Sequence, residues 1–266
     1  MAQPVSDARA ATVAPELPAG VAIVTERRTN GGLYVHDGWA ESLSWLTHGI
    51  TAGDADMGLF GGSPVGDVLG RWQQLRDRLG CAAVVHARQV HEATVLVHDA
   101  VSAGTVIAPD ADAHATARAG VLLAVTVADC VPIFVAAPDV GAVALLHGGW
   151  RGVAGDILEH GVSTLMRRFG AERERMHVHL GPAICGACFE VGPEVPKALG
   201  LATSPPATHV DVRAALAHRA IACGVPAGQI SVSSFCTRHG DSPFFSHRGG
   251  CAERQLAVLA VRPAAG

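Results

Sequence analysis

The run at residues 120–137, GVLLAVTVADCVPIFVAA, constrains this chain more than any other stretch. By length it sits at the lower edge of what a membrane-spanning helix needs. Asp129 and Pro132 interrupt it, however, and β-branched residues are frequent along it. Two buried strands joined at a polar bend satisfy the pattern better than a span. Such strands need a substantial core around them. With 49% hydrophobic and 17% charged residues over 266 positions, the chain has enough apolar surface to build one. That length is long for one domain and short for two full-sized ones.

Along the chain, residues 1–20 are rich in Ala and Pro without periodicity and read as a mobile tail, leaving 21–266 as a single catalytic domain. Strand patterns occur at 21–25, 33–35, 82–87, 93–98, 121–127, 133–136, 142–146, 177–180, 230–234 and 255–261. The first two flank Gly31-Gly32 and suggest a hairpin. Residues 52–66, with five glycines and a proline, read as a long loop of the kind that often carries function. Helical spacing marks 67–79 (stopped by Gly80), 152–169, a short piece after Pro193, and 212–223. Strands outnumber helices and do not alternate with them, which favours an α+β domain with mixed sheets over a doubly wound parallel fold.

The net charge is −4 and the basic residues are scattered, with Arg71, Arg76 and Arg78 on one expected helix. No concentrated positive face for nucleic acid is expected. The first twenty residues carry Asp7, Arg9 and Glu16 and no apolar core of a signal peptide, so the expected location is cytoplasmic, with reduced thiols. Seven cysteines and 14 histidines make a metal site worth seeking.

Three residues share one context: His91, Cys130 and His147 each follow an apolar, strand-like run. Residues at strand ends can converge on one point although far apart in sequence. Their wide spacing is unlike a zinc finger, whose paired ligands are close together. Two imidazoles and a thiolate suit zinc and leave a fourth position for water; such a site could also take copper in vitro. The bland alternatives are a hydrogen-bonded turn histidine and a core cysteine. Cys185 and Cys188 form a C-x-x-C without a second C-x-x-C, so they read as turn or pocket-wall residues.

The segments Ala128-Asp129-Cys130-Val131-Pro132, His147-Gly148-Gly149-Trp150-Arg151-Gly152, Gly181-Pro182-Ala183-Ile184 and Cys188-Phe189-Glu190-Val191-Gly192 resemble one family. It is variously labelled purine nucleoside phosphorylase, polyphenol oxidase (laccase domain) and peptidoglycan editing factor. Gln89-Val90-His91, Cys236-Thr237 and Phe245-Ser246-His247-Arg248 fit the same pattern in the same order, so the likeness runs from about Leu33 to Val261. The resemblance implies a four-layer αββα sandwich with zinc on His91, Cys130 and His147. It implies phosphorolysis of adenosine, inosine, guanosine and methylthioadenosine, with adenosine deamination at the same site. The expected partners are a purine nucleoside and phosphate, with no nucleic acid and no membrane, in a monomer or weak homodimer. Arg248 is the expected phosphate or ribose contact, with a surface ion pair as its alternative. Phe245 is a stacking residue or core, and Glu190 a hydroxyl acceptor or a turn residue. Arg151 either faces substrate or pairs with Asp129. The competing activities are copper-dependent polyphenol oxidation and a peptidoglycan editing or ligand-binding role.

The chain departs from the family pattern on the substrate side. An expected arginine is replaced by Gly53 in His48-Gly49-Ile50-Thr51-Ala52-Gly53, and the positions matching Asn-Arg are Arg71 and Trp72. Glu92 follows His91 where a glycine is usual, Gly249 replaces a second arginine after Arg248, and Glu253 precedes Arg254. Each lost charge-assisted phosphate contact is worth about 1.5–3 kcal/mol, so phosphate affinity should fall unless another cation reaches in.

Overall fold

The computed structural model describes residues 15–202 and 208–263. Two seven-stranded mixed sheets dominate it. One runs in the order Ala22–Val24, Ile230–Ser233, His177–Leu180, Val131–Ala137, Ala142–Gly148, Ala113–Thr116, Val95–Val97. The other runs Arg27–Arg28, Leu33–Val35, Leu46–Thr51, Gln255–Val261, Val121–Val127, Ala83–Ala87, Gly104–Ala108.

The layering follows from side-chain alternation along the strands. Leu123, Val125 and Val127 of one sheet pack against Phe134, Ala136, Val143 and Leu145 of the other, forming the core between the sheets. The intervening residues Leu122 and Ala124, with Leu256, Val258 and Ala260, meet Val68, Trp72 and Leu75 of helix Val65–Arg78. On the far side Ile133, Val135, Ala144 and Leu146 meet helices Ile157–Phe169 and Val212–Ala222. The order is helix, sheet, sheet, helix. Central strands are therefore covered on both faces, which is why they read as continuous apolar runs rather than alternating ones. Each fully buried Leu, Ile or Val contributes about 1.5–3 kcal/mol relative to exposure.

The polar bend inside residues 120–137 does more than join two strands. Val121–Val127 lies in one sheet and Val131–Ala137 in the other, so the chain crosses between layers at 128–130. Asp129, with φ of 81°, makes that turn in the left-handed region. The expected hairpin of 21–25 with 33–35 does not form: Leu33–Val35 pairs across Gly31-Gly32 with Arg27–Arg28, and Ala22–Val24 pairs parallel with Ile230–Ser233 in the opposite sheet. The expected helix 152–169 is two helices, Trp150–Ala154 and Ile157–Phe169, broken at Gly155-Asp156, where Asp156 is also left-handed. Of the expected tail 1–20, residues 1–14 lie outside the described residues; beyond them Leu17 packs on the core and the Glu16 carbonyl accepts from His218 at 2.9 Å. Among the described residues no helix is long and apolar enough to cross a membrane.

Candidate metal centre

His91, Cys130 and His147 come together at the end of the sheet sandwich. One ligand atom from each lies within 4.8 Å of the others, and the two imidazole centroids are 4.9 Å apart. His147 is the penultimate residue of Ala142–Gly148 and is buried; Cys130 leaves the Asp129 turn half-buried; His91 is exposed.

The residue that assembles this group was not foreseen from sequence: Asp112. It is fully buried, and its carboxylate accepts four hydrogen bonds. Oδ1 takes the His91 amide at 3.0 Å and His147 Nδ1 at 2.8 Å. Oδ2 takes the amides of Val90 at 3.0 Å and Glu92 at 2.9 Å. The Asp112 carbonyl also accepts from the His147 amide at 2.7 Å. Three successive amides on one carboxylate hold His91 in its left-handed conformation, φ 62°. Burial opposes ionisation of Asp112, but the His147 bond and the Glu92 and Val90 amides outweigh it and hold its pKa below the usual carboxylate value. With Nδ1 on Asp112, His147 turns its other ring nitrogen, Nε2, toward Cys130.

Asp129 fixes the second arm. Its carboxylate accepts from Thr237 Oγ1 at 2.6 Å and the Arg248 amide at 2.7 Å, and its carbonyl accepts from the Ile184 amide at 3.1 Å. Burial raises the Cys130 thiol pKa, yet the charge and hydrogen bond of His147, with His91 beside it, bring the thiol well below its ordinary value. The thiolate is thus the favoured form. Gly149 lets the three groups close: a Cβ there would stand 2.8 Å from His91 Cδ2 and 3.4 Å from Cys130 Sγ.

Two clefts of about 360 and 320 Å3 open on the trio, sharing His91, Ala128, Cys130 and His247. The first is walled by Phe60, His86, Gln89 and Arg254. Gln89 is locked there, since its Oε1 accepts from the Thr126 amide at 2.7 Å and its Nε2 donates to the Thr126 carbonyl at 2.9 Å. The second is walled by Trp150, Arg151, Phe189 and Arg248. Glu190 joins Arg151 and Arg248 in the adjoining outer groove.

Among the described residues Arg248 has no ion-pair partner of the kind held as its alternative. Its guanidinium donates to the Glu190 carbonyl at 2.7 Å and lies 5.1 Å over the Phe189 ring. Arg151 stacks on Trp150 at 4.3 Å rather than pairing with Asp129, whose oxygens are taken by Thr237 and Arg248. Phe245 lines neither cleft; its amide donates to Gln255 Oε1 at 2.8 Å, while Phe60 and Phe189 are the phenyl rings that reach the clefts. Gly53 approaches the 243–245 backbone closely, and its amide donates to the Pro243 carbonyl at 2.6 Å. Arg71 does not replace the missing arginine at the trio: it donates to the Asp56 carbonyl at 2.6 Å and lines a separate groove with Asp54 and Gln74.

Residues 52–261 match the family model described as multi-copper polyphenol oxidoreductase laccase. The chain belongs to this family. Within it, the sequence is 34% identical over 229 residues to purine nucleoside phosphorylase YlmD of Geobacillus stearothermophilus, covering 78% of this chain and 83% of that protein. It is 40% identical over 148 residues to adenosine deaminase RL5 from an unknown prokaryotic organism, a match that spans 56% of that relative's length. The crystal structure of Geobacillus YlmD superimposes with a TM-score of 0.78 at 30% identity, over 90% of this chain and 99% of that one. The Bacillus licheniformis protein YfiH shares the fold, with a TM-score of 0.80 at 23% identity over 89% of this chain. The resemblance drawn from the motifs and the mixed-sheet α+β fold are both borne out.

Proposed function

We propose that this protein is a zinc-dependent purine nucleoside phosphorylase, acting on adenosine, inosine, guanosine or methylthioadenosine, with adenosine deamination at the same site. The observation that carries the reading is the His91–Cys130–His147 group, held by Asp112 and open to two clefts. The donor set fits zinc: two imidazoles and a thiol biased toward thiolate, with His147 oriented through Nδ1 by a buried carboxylate, as ligating histidines commonly are. When bound, zinc supplies a Lewis acid and lowers the pKa of water at the remaining position.

The chain's own residues supply binding and orientation. Arg248 and Arg151, stacked over Phe189 and Trp150, present guanidinium donors to a phosphate at the mouth of the second cleft. The rings hold those cations in place. Glu190 stands where its carboxylate can accept a ribose hydroxyl. In phosphorolysis an oxygen of hydrogen phosphate bonds to C1′ as the glycosidic bond breaks, and the purine leaves with the proton that the phosphate gives up. Positioning the anion against C1′ is the protein's main contribution there. Phe60 is the ring offered to the base in the first cleft, in place of Phe245.

The test is base release from inosine and adenosine by zinc-loaded protein with and without phosphate, alongside ammonia release from adenosine. Phosphate-dependent release abolished by Cys130→Ala is expected. A zinc-loaded preparation that frees no base in phosphate would refute the phosphorylase reading.

A further inference from the structure

Cys185 and Cys188 sit in a turn, as expected, but they are not merely turn residues. Cys236 and His239 converge on them, and one ligand atom from each of the four lies within 4.8 Å of the others. Cys188 Sγ is 3.0 Å and Cys185 Sγ 3.6 Å from His239 Nδ1. The pattern was present in the sequence as Cys-x-x-Cys at 185–188 and Cys-x-x-His at 236–239; a search for a second C-x-x-C passes over it.

We infer that Cys185, Cys188, Cys236 and His239 form a second, structural zinc site, separate from the His91–Cys130–His147 group. Four features carry the assignment. The donors are three sulfurs and one imidazole, a closed tetrahedral set that leaves no position for water. Both ligand pairs have two-residue spacing, the usual arrangement in structural sites. Around zinc, with Zn–S near 2.3 Å, ligand atoms stand roughly 3.5–3.8 Å apart, so the four already lie close to the required separations.

The fourth feature is the amide environment of Cys236. The amides of Cys185 at 3.3 Å and Arg238 at 3.4 Å donate to its sulfur, and the His239 amide joins them. Amides aimed at a sulfur favour its thiolate. Of the seven cysteines, one belongs to the first group and three to the second, while Cys81, Cys223 and Cys251 belong to neither.

The site lies between two loops that are already joined by the Thr237 amide donating to the Ala183 carbonyl at 3.1 Å and the Arg248 guanidinium donating to the Glu190 carbonyl. One follows His177–Leu180 and carries Ile184, Phe189 and Glu190; the other follows Ile230–Ser233 and carries His247 and Arg248. Thr237, between the two ligands of the second loop, is the residue that donates to Asp129. The Arg238 guanidinium donates to the Cys188 carbonyl at 2.9 Å. A metal here would hold the wall of the second cleft whatever reaction occurs in it, so the inference does not depend on the phosphorylase reading.

The experiment is zinc titration of the reduced, chelator-stripped full-length chain against a chromophoric competitor. Wild type is expected to take two equivalents, and the His91→Ala, Cys130→Ser, His147→Ala triple variant one. Cys185→Ser with Cys236→Ser in the triple background should take none. X-ray absorption on the zinc-loaded triple variant leaves the cluster intact and does not depend on how the serine variant folds. It should read three sulfurs near 2.3 Å and one nitrogen. A triple variant that binds no zinc, or one whose zinc shows a nitrogen and oxygen shell, would overturn the assignment.

Discussion

Asp112→Asn tests the architecture of the first site most severely. Each carboxylate oxygen of Asp112 serves two donors: His91 amide and His147 Nδ1 on one, Val90 and Glu92 amides on the other. An amide keeps one oxygen and sets an NH2 group against the other pair. If the NH2 faces Val90 and Glu92, two part-buried amide bonds lose their acceptor and meet a donor. If it faces His147, that ring must accept at Nδ1 and carry its proton on Nε2, the nitrogen otherwise free for a metal. Two charge-assisted bonds lost at about 1.5–3 kcal/mol each amount to roughly 3–6 kcal/mol, a large part of the 5–15 kcal/mol typical of whole domains. Urea unfolding of the metal-stripped protein should show a loss of that size. Competitive chelation should show zinc affinity lower by about 10–100-fold, the usual effect of losing a ligand's carboxylate partner. Asp110→Asn, which removes only an exposed pair with Arg88, serves as the control and should leave both readouts unchanged. An Asp112→Asn protein with wild-type midpoint and wild-type zinc affinity would refute the role given to this carboxylate.

Other perturbations have equally definite outcomes. Gly149→Ala, at an ordinary extended backbone position, places a Cβ 2.8 Å from His91 Cδ2, so zinc affinity should drop at least about tenfold (~1.4 kcal/mol) with little change in urea midpoint; unchanged affinity would place the His91 ring elsewhere. Arg248→Ala should raise the phosphate KM by about tenfold or more, with a smaller change in kcat; an effect confined to kcat would assign Arg248 a different task. His48 is buried, and that burial, with His179 and His36 nearby, lowers its pKa from 6.5 to about 3. The unfolded chain therefore takes up this proton first, so the stability contribution is complete above pH 6.5 and lost as pH falls toward 3. Between pH 7 and 5 wild type should lose about 2 kcal/mol more than His48→Gln; parallel pH profiles in urea unfolding would contradict this.

Several parts of this molecule were legible because a local pattern determined them. Residues 121–127, 177–180 and 255–261 match their strands end for end, since apolar runs bounded by turn residues leave few alternatives. Sheet membership was not legible. It depends on a left-handed aspartate at 129 and on Ala22–Val24 finding a partner some two hundred residues away, and neither leaves a periodic trace. Strand Gly104–Ala108 alternates only between exposed and half-buried positions, and Ala113–Thr116 has four residues, so neither stood out. His91, Cys130 and His147 could be picked out as strand-end residues, whereas Asp112 looks like any aspartate in an Asp-rich loop until the amides of 90–92 are folded over it. Glu190 and Arg248 were chosen from motifs and do face the outer groove; Phe245 was chosen the same way and does not line the clefts, because its neighbour Phe244 enters the core and turns it aside.

The central claim is that zinc on His91, Cys130 and His147 supports phosphorolysis. It is tested most directly by following hypoxanthine release from inosine with zinc-loaded wild type and Cys130→Ala at matched protein and phosphate concentrations. The account predicts phosphate-dependent hypoxanthine and ribose 1-phosphate from wild type and none from the variant. Equal product from both proteins, or none from a fully zinc-loaded wild type, would contradict it.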